Sequence, residues 1–296
     1  EKAKQLADLK IEADQPTILA RNATRQAIFG KHPYAMNPLG SETTLSSIQR
    51  ADIAAYHRQL MNSGNVTLFV GGSFDPEKMT QLLNKHFEAL PKGDKPRQPE
   101  PVAFPEKNIS QTIPTPKEQA IVQIAYPGVE MDNKDRPALE VLDEAFSDLG
   151  SPFFIRIREK QSLAYFVGSS QMIGLHRGYF VFYAGVAPQN SEKAKTEILD
   201  EIRLIVGKGL SPEEISRAQA KLVGQRLLTN QSAASVAYRA ALNELYGLGA
   251  HFEEEMIKQI QALTPEQINA AAARYFSTPN FVLTIVQPVQ QKKTVK

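Results

Sequence analysis

Cysteine is absent from the 296-residue chain. Disulfides, thiol nucleophiles and cysteine-ligated zinc are therefore excluded, although the absence is compatible with any compartment. Histidine is sparse, with His32, His57, His86, His176 and His251 alone. No two of them fall at the H-x-x-x-H or H-E-x-x-H spacing that turns two imidazoles to one side of a helix. His251-Phe252-Glu253-Glu254-Glu255 has one imidazole and no partner, so it reads as a solvated helix start, and the other histidines read as surface or capping residues. There is no G-x-S-x-G elbow. Gly71-Gly72-Ser73 lacks the lysine and the spacing of a phosphate loop. No apolar run approaches the roughly 18 residues of a membrane span. Charge of one sign is also missing, because 34 basic residues against 32 acidic ones leave a net charge of +2. No general basic field for nucleic acid exists.

What is present is an ordinary globular composition, and the length suits two units of roughly 100–200 residues each. No signal peptide opens the chain: Glu1-Lys2-Ala3-Lys4 leads straight into an amphipathic pattern with Leu6, Leu9 and Ala13 on one side. This start reads as a cut inside a helix. Further helices are expected over about 17–29, 50–61 and 75–90, the last opened by Asp75-Pro76-Glu77. Val66-Thr67-Leu68-Phe69-Val70 reads as a strand. Prolines at 91, 96, 99, 101, 105, 114 and 116 make 91–117 a semi-rigid linker rather than a long surface loop. Beyond it the pattern predicts a strand over Ala120–Tyr126, helices at about 135–147 and 151–160, and strands near 164–173 and 178–186. Four helices over about 190–275 and a last strand, Phe281–Val286, follow. Strands first and helices later predict an α+β fold with helices packed on one face of a sheet.

The order of elements repeats. Ile53-Ala54-Ala55-Tyr56 through Asn65–Val70 runs helix, polar break, strand, and Ile268-Asn269-Ala270-Ala271 through Asn280–Ile285 follows the same order at a constant shift (268 − 53 = 215). Carried back by that shift, the strand that starts near residue 118 has its counterpart at position −97, about 95–100 residues before residue 1. The expected organisation is thus the back part of a first domain over 1–90, the linker 91–117, a complete second domain over 118–290, and a tail over 291–296.

One stretch carries candidate chemistry: Leu149-Gly150-Ser151-Pro152 opens a helix that ends near Lys160, and a strand begins near Leu163. Arg158 lies in the last helical turn and Tyr165 early in the strand. A helix folding back onto its next strand can bring this guanidinium and this phenol together as donors for a peptide carbonyl or a carboxylate. On spacing alone an alternative stands, in which Arg158 pairs with a neighbouring acid and Tyr165 packs.

These residues resemble the second-domain signature of pitrilysin/insulinase-type zinc metallopeptidases, mitochondrial-processing-peptidase-like members included. The signature has a Gly-Ser segment, then R-E-K, then x-x-L-A-Y; Gly150-Ser151, Arg158-Glu159-Lys160 and Leu163-Ala164-Tyr165 match it. Asp14-Gln15-Pro16, Phe29-Gly30-Lys31-His32-Pro33-Tyr34, Pro38-Leu39-Gly40-Ser41 and Gly64-Asn65-Val66 resemble the family's first-domain stretches. The resemblance covers nearly the whole chain. It implies tandem homologous α+β domains of the LuxS/processing-peptidase-like kind, each an antiparallel-rich sheet packed by helices, the first incomplete here, closing around an unfolded peptide. The family binds zinc through H-x-x-E-H and a downstream glutamate, and this chain has no H-x-x-E-H. Glu1 and Asp8 fall where the family's E-x6-E pair stands, and the shorter Asp8 is not expected to be a ligand.

The resemblance therefore implies a substrate-binding, non-catalytic half, inactive alone and without a metal of its own. Arg158 and Tyr165 would hydrogen-bond a substrate carbonyl. Zinc would belong to a catalytic H-x-x-E-H half, in the same polypeptide or in a separate subunit. The implied partners are a peptide substrate and that half, in a bacterial periplasmic or cell-envelope setting. Two alternatives are a non-enzymatic scaffold or peptide-binding subunit of the same fold, and an active metallopeptidase whose H-x-x-E-H lies upstream of residue 1.

Overall fold

The structure is a computed structural model that describes residues 1–148, 150–159 and 161–289. The tail expected at 291–296 lies outside the described residues. The chain resolves into two compact units, one of residues 1–45, 100–222 and 262 onward, the other of residues 46–99 and 223–261.

The first unit opens with helices α1 (Lys2–Ala13) and α2 (Pro16–Phe29), the latter started by a proline at its first turn. Its sheet is built from β1 (Ile109–Thr115), β2 (Ala120–Pro127), β3 (Ala164–Met172), β4 (Tyr179–Val186) and β5 (Val282–Pro288). The strand order is β1-β5-β2-β4-β3, with β1 parallel to β5 and the other pairs antiparallel. Helices α6 (Arg136–Ser147), α7 (Ser191–Lys208) and α11 (Pro265–Phe276) pack on one face. There Phe146, Phe153, Phe180, Phe182 and Phe276 interlock, with ring centroids 5.2 Å apart for Phe153–Phe182 and 4.8 Å for Phe180–Phe276. Each fully buried phenylalanine contributes roughly 1.5–3 kcal/mol, which makes this aromatic layer the core of the unit.

Helix α2 crosses the opposite face over β1, β5 and β2. Its buried residues Ala20, Thr24 and Ile28 recur every fourth position and so form one stripe. Ala20 packs on Ile121 and Val286, and Ile28 on Ala125 and Val282. The stripe's one polar member is satisfied, since the Thr24 hydroxyl lies 2.9 Å from that of Thr284 and 3.0 Å from the Gln123 amide oxygen. Strand β2, sandwiched by helices on both faces, is accordingly buried almost throughout.

Three expectations are corrected. The stretch 91–117 is not all linker, because Ile109–Thr115 pairs with β5 as an edge strand. Pro114, the one of those prolines inside β1, is tolerated there, since an edge strand needs ladder hydrogen bonds on one side only. Five helices, not four, span about 190–276 among the described residues, with α8 at Pro212–Thr229, α9 at Ala233–Leu245 and α10 at Phe252–Ala262 between α7 and α11.

Val66–Val70 is not a strand. In the second unit it lies in no regular element and has no ladder partner among the described residues, and Leu68, Phe69 and Val70 are exposed. Within the second unit α4 (Arg50–Leu60) and α5 (Pro76–Phe87) flank this stretch in sequence; α3 (Glu42–Ser47), most of it in the first unit, precedes α4. The shift of 215 places α4 on α11 and Leu68 on Leu283, yet the two copies differ in cover. Ile53 is 63% exposed where Ile268 is 0%, and Leu68 is 46% exposed where Leu283 is 5%. No helix among the described residues is long and apolar enough to cross a membrane.

Candidate functional site

The segment from Gly150 to Tyr165 is anchored from both ends. The buried Ser151 hydroxyl accepts the Phe154 amide at 3.0 Å and starts the helix. Upstream, Asp148 accepts from the Arg217 guanidinium and the Lys221 ammonium, each at 3.1 Å, and Arg217 also donates to the Gly150 carbonyl at 3.1 Å. Burial raises the Asp148 pKa, but the Lys221 hydrogen bond and charge, with Arg217 behind them, outweigh it and hold the carboxyl below its ordinary value.

Residues Phe154–Glu159 form a π-helical turn, a widened geometry that recurs at functional sites because it displaces side chains from the regular helical pattern. Phe153 and Ile157 are fully buried against the aromatic core. Arg156 turns toward α7 and donates to Glu201 at 2.9 Å, with Glu197 4.0 Å away. Burial pushes the Glu201 carboxyl up, and Arg156 opposes that shift. The Phe154 and Arg158 side chains share another side of the turn, where the Arg158 guanidinium carbon sits 4.9 Å from the Phe154 ring centre, a cation–π arrangement. Arg158 is exposed and makes no ion pair or hydrogen bond among the described residues.

The chain then reverses. The Ser162 amide donates to the Arg158 carbonyl at 3.0 Å and the Leu163 amide to the Ile157 carbonyl at 3.1 Å. Ser162 takes φ of 48°, a left-handed conformation that no other non-glycine residue among those described adopts. Leu163 and Ala164 are buried, and the register of β3 against β4 then slips between Ala164 and Phe166. Tyr165 occupies that bulge and is 58% exposed; bulges re-aim a side chain out of the ladder. The reversal thus brings the last helical turn, with Arg158, back to the start of the edge strand, with Tyr165. The two side chains make no hydrogen bond to each other. Lys160, the last residue of the R-E-K match, lies outside the described residues.

Beneath the same strand, the Ser169 hydroxyl donates to the Asp143 carboxylate of α6 at 2.6 Å, and the Ser147 hydroxyl donates to the Ser169 carbonyl at 3.0 Å. Burial pushes the Asp143 carboxyl up to about 6, against the Ser169 hydrogen bond and with help from Glu144 and Glu140. No sequence pattern pointed to this buried acid.

Asp8 sits on α1, half-buried. Among the described residues no three His, Asp or Glu side chains gather closely enough to hold a metal ion. His32 caps a 3-10 turn, its Nδ1 accepting the Tyr34 amide at 3.1 Å. Its ring lies 5.6 Å from that of His176, a pairing that a separation of 144 positions hides from sequence reading. His251 is exposed, 3.5 Å from Glu254 at the start of α10.

An uncharacterized zinc protease of Mycobacterium tuberculosis is 24% identical over 301 residues, covering 98% of this chain and 67% of the relative. The crystal structure of a peptidase M16 inactive domain from Pseudomonas fluorescens superposes with a TM-score of 0.84 at 23% identity, over 97% of this chain and 69% of that one. A chain of Complex III2 from Candida albicans superposes with a TM-score of 0.78 at 16% identity, over 96% of this chain and 70% of that one. At these identities the structural likeness establishes the fold. The profile described as "Peptidase M16 inactive domain" matches residues 47–222, more than half of the chain and all of the segment from Gly150 to Tyr165. The chain belongs to the peptidase M16 inactive-domain family.

Proposed function

We propose that this chain is the substrate-holding, non-catalytic half of a zinc-dependent endopeptidase that cleaves unfolded peptides in a closed chamber. The observation that carries the reading is the division of labour between two arginines two positions apart in the π-helical turn. Arg156 is consumed by Glu201 and Glu197, whereas Arg158 is held up by Phe154 with no acid to neutralise it among the described residues. Tyr165 is presented beside the same reversal by a bulge in an edge strand. A guanidinium and a phenol kept unpaired at one corner suit hydrogen bonding to a peptide carbonyl near the scissile bond. Holding that bond in attack geometry removes much of the entropic barrier.

The residues of this chain do not fit a zinc ion, since it has no H-x-x-E-H and no cluster of metal-ligating side chains among those described. The metal chemistry belongs to an H-x-x-E-H half, in the same polypeptide or in a separate subunit. The uncovered copy of the repeat supports a larger assembly: Ile53, Leu68 and Phe69 expose an apolar surface whose counterpart around Ile268 and Leu283 is buried. The test is to prepare this chain and the H-x-x-E-H half separately and follow cleavage of a quenched-fluorescence peptide. Activity is expected only on mixing. Zinc-dependent cleavage by this chain alone refutes the proposal.

The likeness to a chain of Complex III2 favours a second reading, a non-enzymatic scaffold subunit of the same fold. That reading predicts stable assembly and no cleavage with any H-x-x-E-H partner.

A further inference from the structure

Helix α2 covers only part of its face of the sheet. Beside it, over β2, β4 and β3, lies a cavity of about 500 Å³, within the usual size of small-ligand sites. Ile18 of α2 and Ile121, Phe166 and Val181 of the sheet give it apolar walls. Three polar side chains line it with hydrogen-bonding capacity left over. Gln123 is only 8% exposed, and its amide oxygen accepts from Thr24 at 3.0 Å while its amide nitrogen has no partner among the described residues. Tyr179 is 5% exposed, and its phenol makes no hydrogen bond among the described residues. The Tyr183 phenol also makes no hydrogen bond among the described residues. Gln123 and Tyr179 are buried residues whose unpaired polar atoms open into the cavity, and half-buried Tyr183 adds a third donor there, so a ligand in the cavity finds hydrogen-bonding groups ready to meet it.

The residues that line the cavity include a guanidinium and no carboxylate. The guanidinium is that of Arg21, which also makes a long ion pair with Glu12 at 3.9 Å outside the cavity lining. Arg25 and Arg21 both act on the Tyr179 phenol, opposing the upward push of burial, while on the far side the Asp143 carboxyl adds to the upward push of burial on Tyr183. An amide N–H, two phenols and a guanidinium are all donors. The ligand they fit has acceptor oxygens and a negative charge, joined to an apolar body that fills the space between Ile18, Phe166 and Val181.

We propose that this cavity binds an organic carboxylate with an apolar body, and that its occupant is the C-terminal residue of a peptide. The carboxylate chemistry stands on the cavity alone; the choice of a peptide as its source rests on the function proposed above. Bound in this way, a free α-carboxylate meets Arg21 and the phenols while the last side chain is buried against the apolar walls. The cavity then selects peptides by their C-terminus, at a place distinct from the Arg158–Tyr165 corner.

The experiment is calorimetric titration of the 296-residue chain with acetyl-Ala-Ala-Phe as the free acid, with the same peptide as its C-terminal amide, and with 3-phenylpropanoate. The free-acid peptide is expected to bind, and the amide to bind about tenfold or more weakly, as suits loss of a charge-assisted contact. Arg21→Gln and Tyr183→Phe, which keep the side chains' shape, are expected to weaken the acid by a similar factor and to leave the amide unchanged. Equal binding of acid and amide, or no binding of the acid at millimolar concentration, overturns the site. Binding of 3-phenylpropanoate as tight as that of the peptide overturns the peptide assignment. Either failure leaves the Arg158–Tyr165 reading intact if substitutions there still slow the assembled enzyme, so the two proposals fail separately.

Discussion

Asp143 offers a perturbation whose size follows from the structure. Its carboxyl is buried under β3 and pushed up to about 6 from an ordinary value of 3.8. The folded protein therefore holds this proton more tightly than the unfolded chain does. Below the unfolded value both states are protonated and nothing is lost. As pH rises through the window from about 4 to about 6, ionisation costs the folded state more than the unfolded one, and stability falls. A shift of roughly two units at about 1.4 kcal/mol each sets the loss at roughly 3 kcal/mol by neutral pH. Asp143→Asn stays neutral at every pH, and its side-chain oxygen can still accept from Ser169, which now sits 2.6 Å from the carboxylate. Urea unfolding at pH 4 and pH 8, followed by tyrosine fluorescence, is the assay. The variant is expected to match the parent at pH 4 and to be more stable by about 2–3 kcal/mol at pH 8, with the pH dependence across that window flattened. An Asn variant no more stable than the parent at pH 8 refutes the assignment of a buried, costly carboxylate.

The two arginines of the π-helical turn are expected to separate in their effects. Arg156→Ala leaves the buried Glu201 without its partner and is expected to cost about 1–3 kcal/mol in urea unfolding, whereas Arg158→Ala is expected to stay within about 0.5 kcal/mol of the parent. At Ser162, held at φ 48°, glycine removes the steric penalty of the left-handed region, so Ser162→Gly is expected to leave stability unchanged or raise it by up to about 1 kcal/mol. Ser162→Val, which suffers that penalty more severely, is expected to lower the melting temperature.

Much of the fold was legible because local chemistry and tertiary context agree. Pro16, Pro76 and Pro265 each sit in a first helical turn, and the unbroken apolar run of β2 matches a strand covered on both faces. The failures fall where a neighbour decides. Val66–Val70 has strand composition, but a strand exists only through its ladder, and none is provided among the described residues. Ile109–Thr115 has a proline-rich neighbourhood, yet one flank of β5 recruits it. At the site, the Gly-Ser opening and the Arg158–Tyr165 spacing were readable. Which arginine is spent on an ion pair was not, because Glu197 and Glu201 lie about forty positions away on α7. The cavity was invisible for the same reason: Arg21, Gln123 and Tyr183 are joined by the packing of α2 on the sheet and not by sequence.

The most direct measurement is the kcat/KM of the assembled peptidase, chain plus H-x-x-E-H half, on a quenched-fluorescence peptide, with Arg158→Ala and Tyr165→Phe examined beside the parent. The expected result is a fall of about a hundredfold or more in each variant, expressed mainly in kcat, with the urea midpoint unchanged. Parental kcat/KM in both variants contradicts a substrate-holding role for this half.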